Sequence, residues 1–290
     1  MRWKRGASTA DVIDVRGGGG GRRRGGAALP VGGGLGVVGV IIVIALQLLG
    51  GGVGGFDVPA GFDGGTQAPS GRPIPAGQDP EADLKDFSTY VFNSAQGTWQ
   101  RIFDAQGEQY EKAKLVLYRG AVDTACGSAS SAVGPFYCPR DRYVYLDLSF
   151  YRDMERRLQA GGEFAWAYVI AHEVGHHVQQ QLGTSAEVDR IRREDPDRAN
   201  EASVRLELQA DCYSGVWAAA VFEQLDPGDV AEAIRASEAV GDDRLQSQAG
   251  RRVDPDSFTH GSSAQRRAWF ERGRRAGDPA ECDTFAAEAL

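Results

Sequence analysis

Apolar positions in this chain fall into helical spacing far more often than into alternation. Beyond Glu81, the residues Leu84, Phe87, Val91, Trp99, Ile102 and Phe103 recur mostly at intervals of three and four, the period of a helix with one buried face. Gly97 and Gly107 are the residues expected to break or end it. Only KLVLY from Lys114 to Tyr118 and YVYLD from Tyr143 to Asp147 read as convincing strands, being short and rich in β-branched and aromatic residues. Leu148 to Leu158 reads as a short helix, and Gly161-Gly162 separate it from the run Ala165 to Leu182, AWAYVIAHEVGHHVQQQL. That run is apolar nearly all round, which marks a buried helix, and Gly183 stands where a C-terminal glycine cap belongs. The charged stretch EVDRIRREDPDRANEAS reads as a solvated loop with at most one helical turn. Leu206 to Leu225 is a second largely apolar helix, halted by Asp226-Pro227. Asp229 to Ala239 and Ser262 to Ala276 follow as surface helices, the second capped by Ser262 or Ser263 with Trp269 and Phe270 facing inward. Five or six helices and one small sheet define an α+β fold in which helices dominate.

Upstream of Glu81 the pattern changes character. Residues 1–26 are basic and glycine-rich and read as a disordered tail. Ala27 to Leu49 carries no charge and is about as long as the ~20 apolar residues needed to span a bilayer. An uncleaved transmembrane anchor, a cleaved signal peptide and a buried helix of the body compete for this segment. The basic flank favours the anchor, with the N-terminus cytoplasmic and the body outside the membrane. Residues 50–80 are a glycine- and proline-rich flexible linker, leaving 81–290 as the folded domain.

Composition adds a boundary condition. At 290 residues with 42% hydrophobic and 25% charged positions, the chain can bury a substantial core. The net charge of -8 is uneven. Residues 1–50 hold seven basic side chains and two acidic ones; taking these from totals of 32 and 40 leaves 25 and 38, a net of -13 for the remainder. So acidic a body offers little to neutralise phosphates, and a nucleic-acid partner is not expected. The four cysteines allow three disulfide connectivities. Cys126–Cys138, closing a short loop, and Cys212–Cys282, tying the C-terminus to a core helix, are the favoured pairs. No C-x-x-C pair suggests a cysteine metal cluster.

The chemistry centres on His172-Glu173-Val174-Gly175-His176, an H-E-x-x-H pattern on the first buried helix. Residues four apart share a helix face, so both imidazoles can reach one ion, and zinc takes neutral imidazole nitrogen at about 2.0–2.1 Å. A catalytic zinc usually has three protein ligands and one open position. The second apolar helix carries Glu207 and Asp211, again four apart, and acids on an apolar helix are costly unless paired or metal-bound. Glu207 is the expected third ligand, and Asp211 the expected acceptor for a ring N–H of a ligating histidine, most simply His172. The bland alternative sends both acids to solvent or to a base such as Arg205. Glu173 is the candidate general base. His177 points about 100° away round the helix and reads as a structural hydrogen-bonder. His260, in DSFTHGSS, either stabilises a developing oxyanion across the cleft or orients the last helix.

Several strings together resemble the bacterial putative neutral zinc metallopeptidases, across most of residues 83–288. They are CGSASSAVGPFYCPRDRYVYLDLSFY from Cys126, AHEVGHHVQ from Ala171, LELQADCYSGVWA from Leu206, THGSSAQRRAWFERG from Thr259 and CDTF from Cys282. The E-x-x-x-D element at Glu207 and Asp211 is also similar to the third-ligand helix of the wider gluzincin group. The resemblance implies a membrane-anchored, zincin-like peptidase domain holding one zinc ion and acting on a peptide or protein substrate. An extended peptide could add to a strand edge beside the zinc helix. Two competing readings are an inactive tethered interaction protein with a structural zinc site, and a zinc hydrolase of a non-peptide amide or ester. Glu173, which is not needed to hold metal, argues against the first.

Overall fold

The computed structural model describes residues 1–17, 69, 71–75 and 77–290. The fold is helix-dominated α+β. The first domain helix, α1 (Ala82–Ala105), runs unbroken through Gly97. Its buried face of Phe87, Val91, Phe92, Ala95, Trp99 and Phe103 outweighs the ~1 kcal/mol that a mid-helix glycine costs.

The sheet is larger than expected. Strand β1 (Val12–Asp14) leads, followed in sequence by β2 (Lys114–Tyr118), the hairpin β3 (Ala121–Thr124) and β4 (Gly127–Ser130), then β5 (Phe136–Cys138) and β6 (Tyr143–Asp147). The main sheet has the order β1-β2-β6-β5, with β3 and β4 forming a separate pair. β1, β2 and β6 are parallel, in a register that sets Lys114 opposite Tyr143. β5 runs antiparallel to β6 at the other edge. The Cys126–Cys138 bridge ties the hairpin to β5. These extra strands are three or four residues long, too short for periodicity to register.

After β6 come α2 (Phe150–Arg156), α3 (Glu163–Gln181), α4 (Thr184–Glu194), α5 (Ala199–Ala220), α6 (Asp229–Ala239), α7 (Asp242–Gln248) and α8 (Ser263–Ala276). Gly183, left-handed at φ 82°, separates α3 from α4. The stretch expected as a solvated loop is largely helical. α4 exposes its charges, pairs Arg190 with Glu187 and Glu194, and buries only Val188.

α3 and α5 run through the core, and α5 packs against α8 at glycine contacts. A Cβ on Gly215 would lie 2.2 Å from the Phe270 carbonyl, and one on Gly273 would lie 1.9 Å from the Cys212 carbonyl. The Cys212–Cys282 bridge fastens the same neighbourhood across 70 residues, worth about 4 kcal/mol in the chain-entropy account. Both favoured disulfide pairings are thus present.

The N-terminal reading needs correction. Residues 1–17 are not a free tail. Trp3 packs on Phe87 and Tyr90 of α1, and β1 is an integral strand of the domain's sheet. The buried Arg16 guanidinium reaches Asp79 at 2.5 Å, Asp14 at 2.8 Å and Glu81 at 3.3 Å. Gly17 donates its N–H to the Arg72 carbonyl at 2.7 Å, and a Cβ there would lie 2.7 Å from the Pro73 oxygen. Gly17 and the segment Gly71–Pro73 therefore lie side by side, with Gly71 against Val15. A cytoplasmic N-terminus with the body across a bilayer contradicts that sheet, since both belong to one hydrogen-bonded ladder. Among the described residues no helix is long and apolar enough to cross a membrane, and single-pass anchoring is not supported. Ala27 to Leu49, assigned to the anchor, and most of the 50–80 linker lie outside the described residues.

Candidate metal centre

α3 carries His172 and His176 on one face, and α5 brings Glu207 against them. One ligand atom from each of the three lies within 4.8 Å of the others. The His172 and His176 Nε2 atoms are 3.0 Å apart, and the Glu207 carboxylate oxygens lie 3.3 Å from the first and 3.7 Å from the second. All three side chains are shut from solvent, at 3%, 1% and 1% exposure. The helices can come this close because position 175 is glycine: a Cβ there would press at 3.2 Å on the Ala210 carbonyl.

The outer ring nitrogens decide what the inner ones offer. His172 Nδ1 is 2.9 Å from Asp211 Oδ1, and an ionised carboxylate only accepts. His176 Nδ1 is 2.8 Å from Gln179 Oε1, whose amide nitrogen already donates to the Leu206 carbonyl and to Gln209. In the neutral rings both Nδ1 atoms therefore carry the proton, and both Nε2 atoms present lone pairs to each other and to a carboxylate. That is why Glu207 Oε2 has no hydrogen-bond partner despite its 3.3 Å neighbour. Converging lone pairs repel unless a cation lies among them, and two imidazole nitrogens with one carboxylate suit zinc. Without a cation, a proton serves instead. Burial opposes the charge on His172, but Asp211 and Glu207 outweigh it and push the ring up to about 9. His176 goes the other way, down to about 4, because burial dominates there.

Glu173 is buried beside this group. Its Oε2 has no partner. Burial pushes its carboxyl up to about 8, with the Glu207 charge adding to the rise and His172 opposing it. His177 turns away from the metal group as its sequence position suggested. Its Nδ1 is 3.0 Å from the Tyr137 hydroxyl of β5, and its Nε2 lies 2.6 Å from the Glu111 carbonyl. It staples α3 to the edge strand.

His260 stands outside the three-ligand group but close enough that its charge would favour ionised Glu207. Its Nδ1 is 3.0 Å from Asp242 Oδ1, and its buried Nε2 has no partner. Asp242 also accepts the backbone N–H groups of Thr259, His260 and Gly261, so one carboxylate holds the whole loop. Sequence reasoning missed Asp242, Gln179 and Arg266, which forks onto Asp211 from α8. Asp242 gave no sequence signal. Gln179 lies one turn beyond His176. Arg266 precedes Trp269, Phe270 and Gly273 by three, four and seven positions, on the stripe that faces inward. Arg205, considered as a partner for the α5 acids, instead meets Glu201 and the Thr284 carbonyl.

A helix-dominated α+β domain with a buried His-His-Glu group is thereby defined. The family of putative neutral zinc metallopeptidases matches residues 1–285, and the chain belongs to that family. The uncharacterized protein YpfJ of Escherichia coli K12 is 44% identical over 290 residues, covering 98% of this chain and 99% of its own. The uncharacterized protein Mb2605 of Mycobacterium bovis is 42% identical over 211 residues, 68% of this chain and 69% of its own. No solved structure matches the chain.

Proposed function

We propose that this protein hydrolyses peptide bonds at a single zinc ion held by His172, His176 and Glu207, in a zincin-like arrangement. The observation that carries the reading is the convergence of two imidazole lone pairs and a carboxylate beside Glu173, whose free oxygen is not needed to hold a metal. When bound, the zinc supplies Lewis acidity, lowering the pKa of a water and polarising a carbonyl. Glu173 takes the water's proton as general base and passes it to the leaving amine. Its raised pKa suits the second half of that duty, and a cation beside it would draw it back toward the ionised form that begins the cycle. As an imidazolium, His260 donates Nδ1–H to Asp242 and Nε2–H to the oxyanion that forms as the carbonyl becomes tetrahedral.

The peptide class rests on the family, that of the putative neutral zinc metallopeptidases. β5 lies at the edge of the sheet and is stapled to α3 through Tyr137 and His177, with Phe136, Tyr137 and Cys138 all buried.

The test pairs metal analysis with cleavage of a mixed peptide library, wild type beside Glu173→Gln. Both proteins should hold one zinc per chain, and the variant should lose about 10²–10⁴-fold in turnover, the usual worth of a general base. Undiminished cleavage by Glu173→Gln would remove the base from the mechanism. A zinc-loaded wild type that cuts no peptide would remove the substrate class.

A further inference from the structure

Of the arginines on α8, Arg266 is the one wholly withdrawn from water; Arg267, Arg272 and Arg275 are exposed. Its Nε lies 2.8 Å from Asp211 Oδ2 and its Nη2 lies 2.9 Å from Asp211 Oδ1, a two-pronged pairing with both carboxylate oxygens. The same Nη2 is 3.1 Å from the Tyr168 hydroxyl, which itself donates to Asp211 Oδ1. Oδ1 therefore collects His172 Nδ1–H, the Tyr168 hydroxyl and one prong of Arg266.

A carboxylate held by one imidazole can swing about its own bond and let the ring turn with it. One gripped by both oxygens cannot. The fork fixes the plane of Asp211, and with it the direction in which the His172 ring presents Nε2. Arg266 is itself immobile. Its helix opens with a capping box between Ser262 and Gln265 and is pressed against α5 at Gly215 and Gly273, next to the Cys212–Cys282 bridge. Arginine suits the role where lysine does not, because a planar fork sets an orientation and an ammonium sets only a charge.

We propose that Arg266 is a positioning residue of the metal centre: through its fork on Asp211 it holds the ring plane and tautomer of His172, and so sets how tightly the centre binds zinc. This rests on the zinc reading above. A purely structural role, joining α5 to α8, would leave zinc affinity alone.

The experiment uses the full chain and reads zinc affinity by chelator competition, thermal stability, and the His172 ring N–H signal by NMR. Arg266→Lys keeps the charge and removes the fork. It should weaken zinc binding by about 10–100-fold, the usual worth of an outer partner of a metal-bound histidine, and should shift or broaden the His172 Nδ1–H signal. Trp269→Leu, a buried neighbour on α8 that stacks with Arg272 and not with the Asp211 network, should lower stability without changing zinc affinity. Should Arg266→Lys not fold, Arg266→Gln removes the fork while leaving Asp211 in place with one amide donor, and should show the same loss. Wild-type zinc affinity in a folded fork-less variant overturns the proposal while leaving the zinc reading intact. A wild type that takes up no zinc overturns both.

Discussion

His172 and His176 present the same atom to the same point, yet they are held by opposite means. His172 leans on charge. Its Nδ1–H meets Asp211 from α5, and Asp211 meets Arg266 from α8, so three helices must be docked before the ring is fixed. His176 leans on neutral amides. Its partner Gln179 stands one turn further along α3, and that amide continues to the Leu206 carbonyl and Gln209 on α5. Direction is thus set twice, once by the tertiary fold and once largely within a helix. The electrostatic consequence is asymmetric: carboxylates hold His172 toward its charged form, while burial leaves His176 neutral. A centre built this way can keep one ring in place when the other loses its support.

The sharpest way to break that comparison is to remove the charge on the first side. Asp211→Asn leaves Arg266 buried against an amide, and an uncompensated buried charge costs about 3–5 kcal/mol. It should also lower zinc affinity by about 10–100-fold. Denaturant unfolding and chelator competition, run on the same samples, read the two effects separately. The matching change on the second side is Gln179→Met, which keeps the volume and removes the acceptor for His176 and the donors to α5. Neutral hydrogen bonds are worth about 1 kcal/mol each, so zinc affinity should fall by less than about tenfold and stability by about 1–3 kcal/mol. If Gln179→Met costs more zinc affinity than Asp211→Asn, charge is not what distinguishes the two sides.

The same contrast explains what could be read from the sequence. His172, Glu173 and His176 are legible because helical spacing alone puts them together. Glu207 and Asp211 are legible because acids on an apolar helix demand a reason. Arg266 was within reach, since Trp269 and Phe270 had already marked the inward face and Arg266 lies on it; arginines are so often exposed that the residue type hid the position. Asp242 was out of reach, because its partner loop lies 17 to 19 residues away and no period connects them. The largest error, the free N-terminal tail, has a related cause. β1 is three residues long, and its partner strand β2 begins about a hundred residues later. Glycine and arginine around it report composition, not the ladder that orders it.

That strand supplies the mildest test, because its support is again charged. Asp14 and Asp79 flank the buried Arg16 guanidinium. Burial works to raise both carboxyls, but hydrogen bonds from Arg16 and its charge outweigh it and hold both below the ordinary value of 3.8. A carboxyl depressed in the folded state contributes stability that is complete above its unfolded pKa and is lost as pH falls through the folded one. Docking of β1 should therefore be insensitive to pH above about 4 and should loosen below it. NMR signals of Ile13 and Val15 report this directly, since Val15 donates its N–H to the Leu117 carbonyl within the ladder. Arg16→Gln should loosen the strand at neutral pH and flatten the acid response, because the two carboxylates then have no cation to depress them. If β1 in the wild type stays docked until the whole chain unfolds, its place depends on the backbone ladder and the Trp3 contacts, and the ionic hub is incidental.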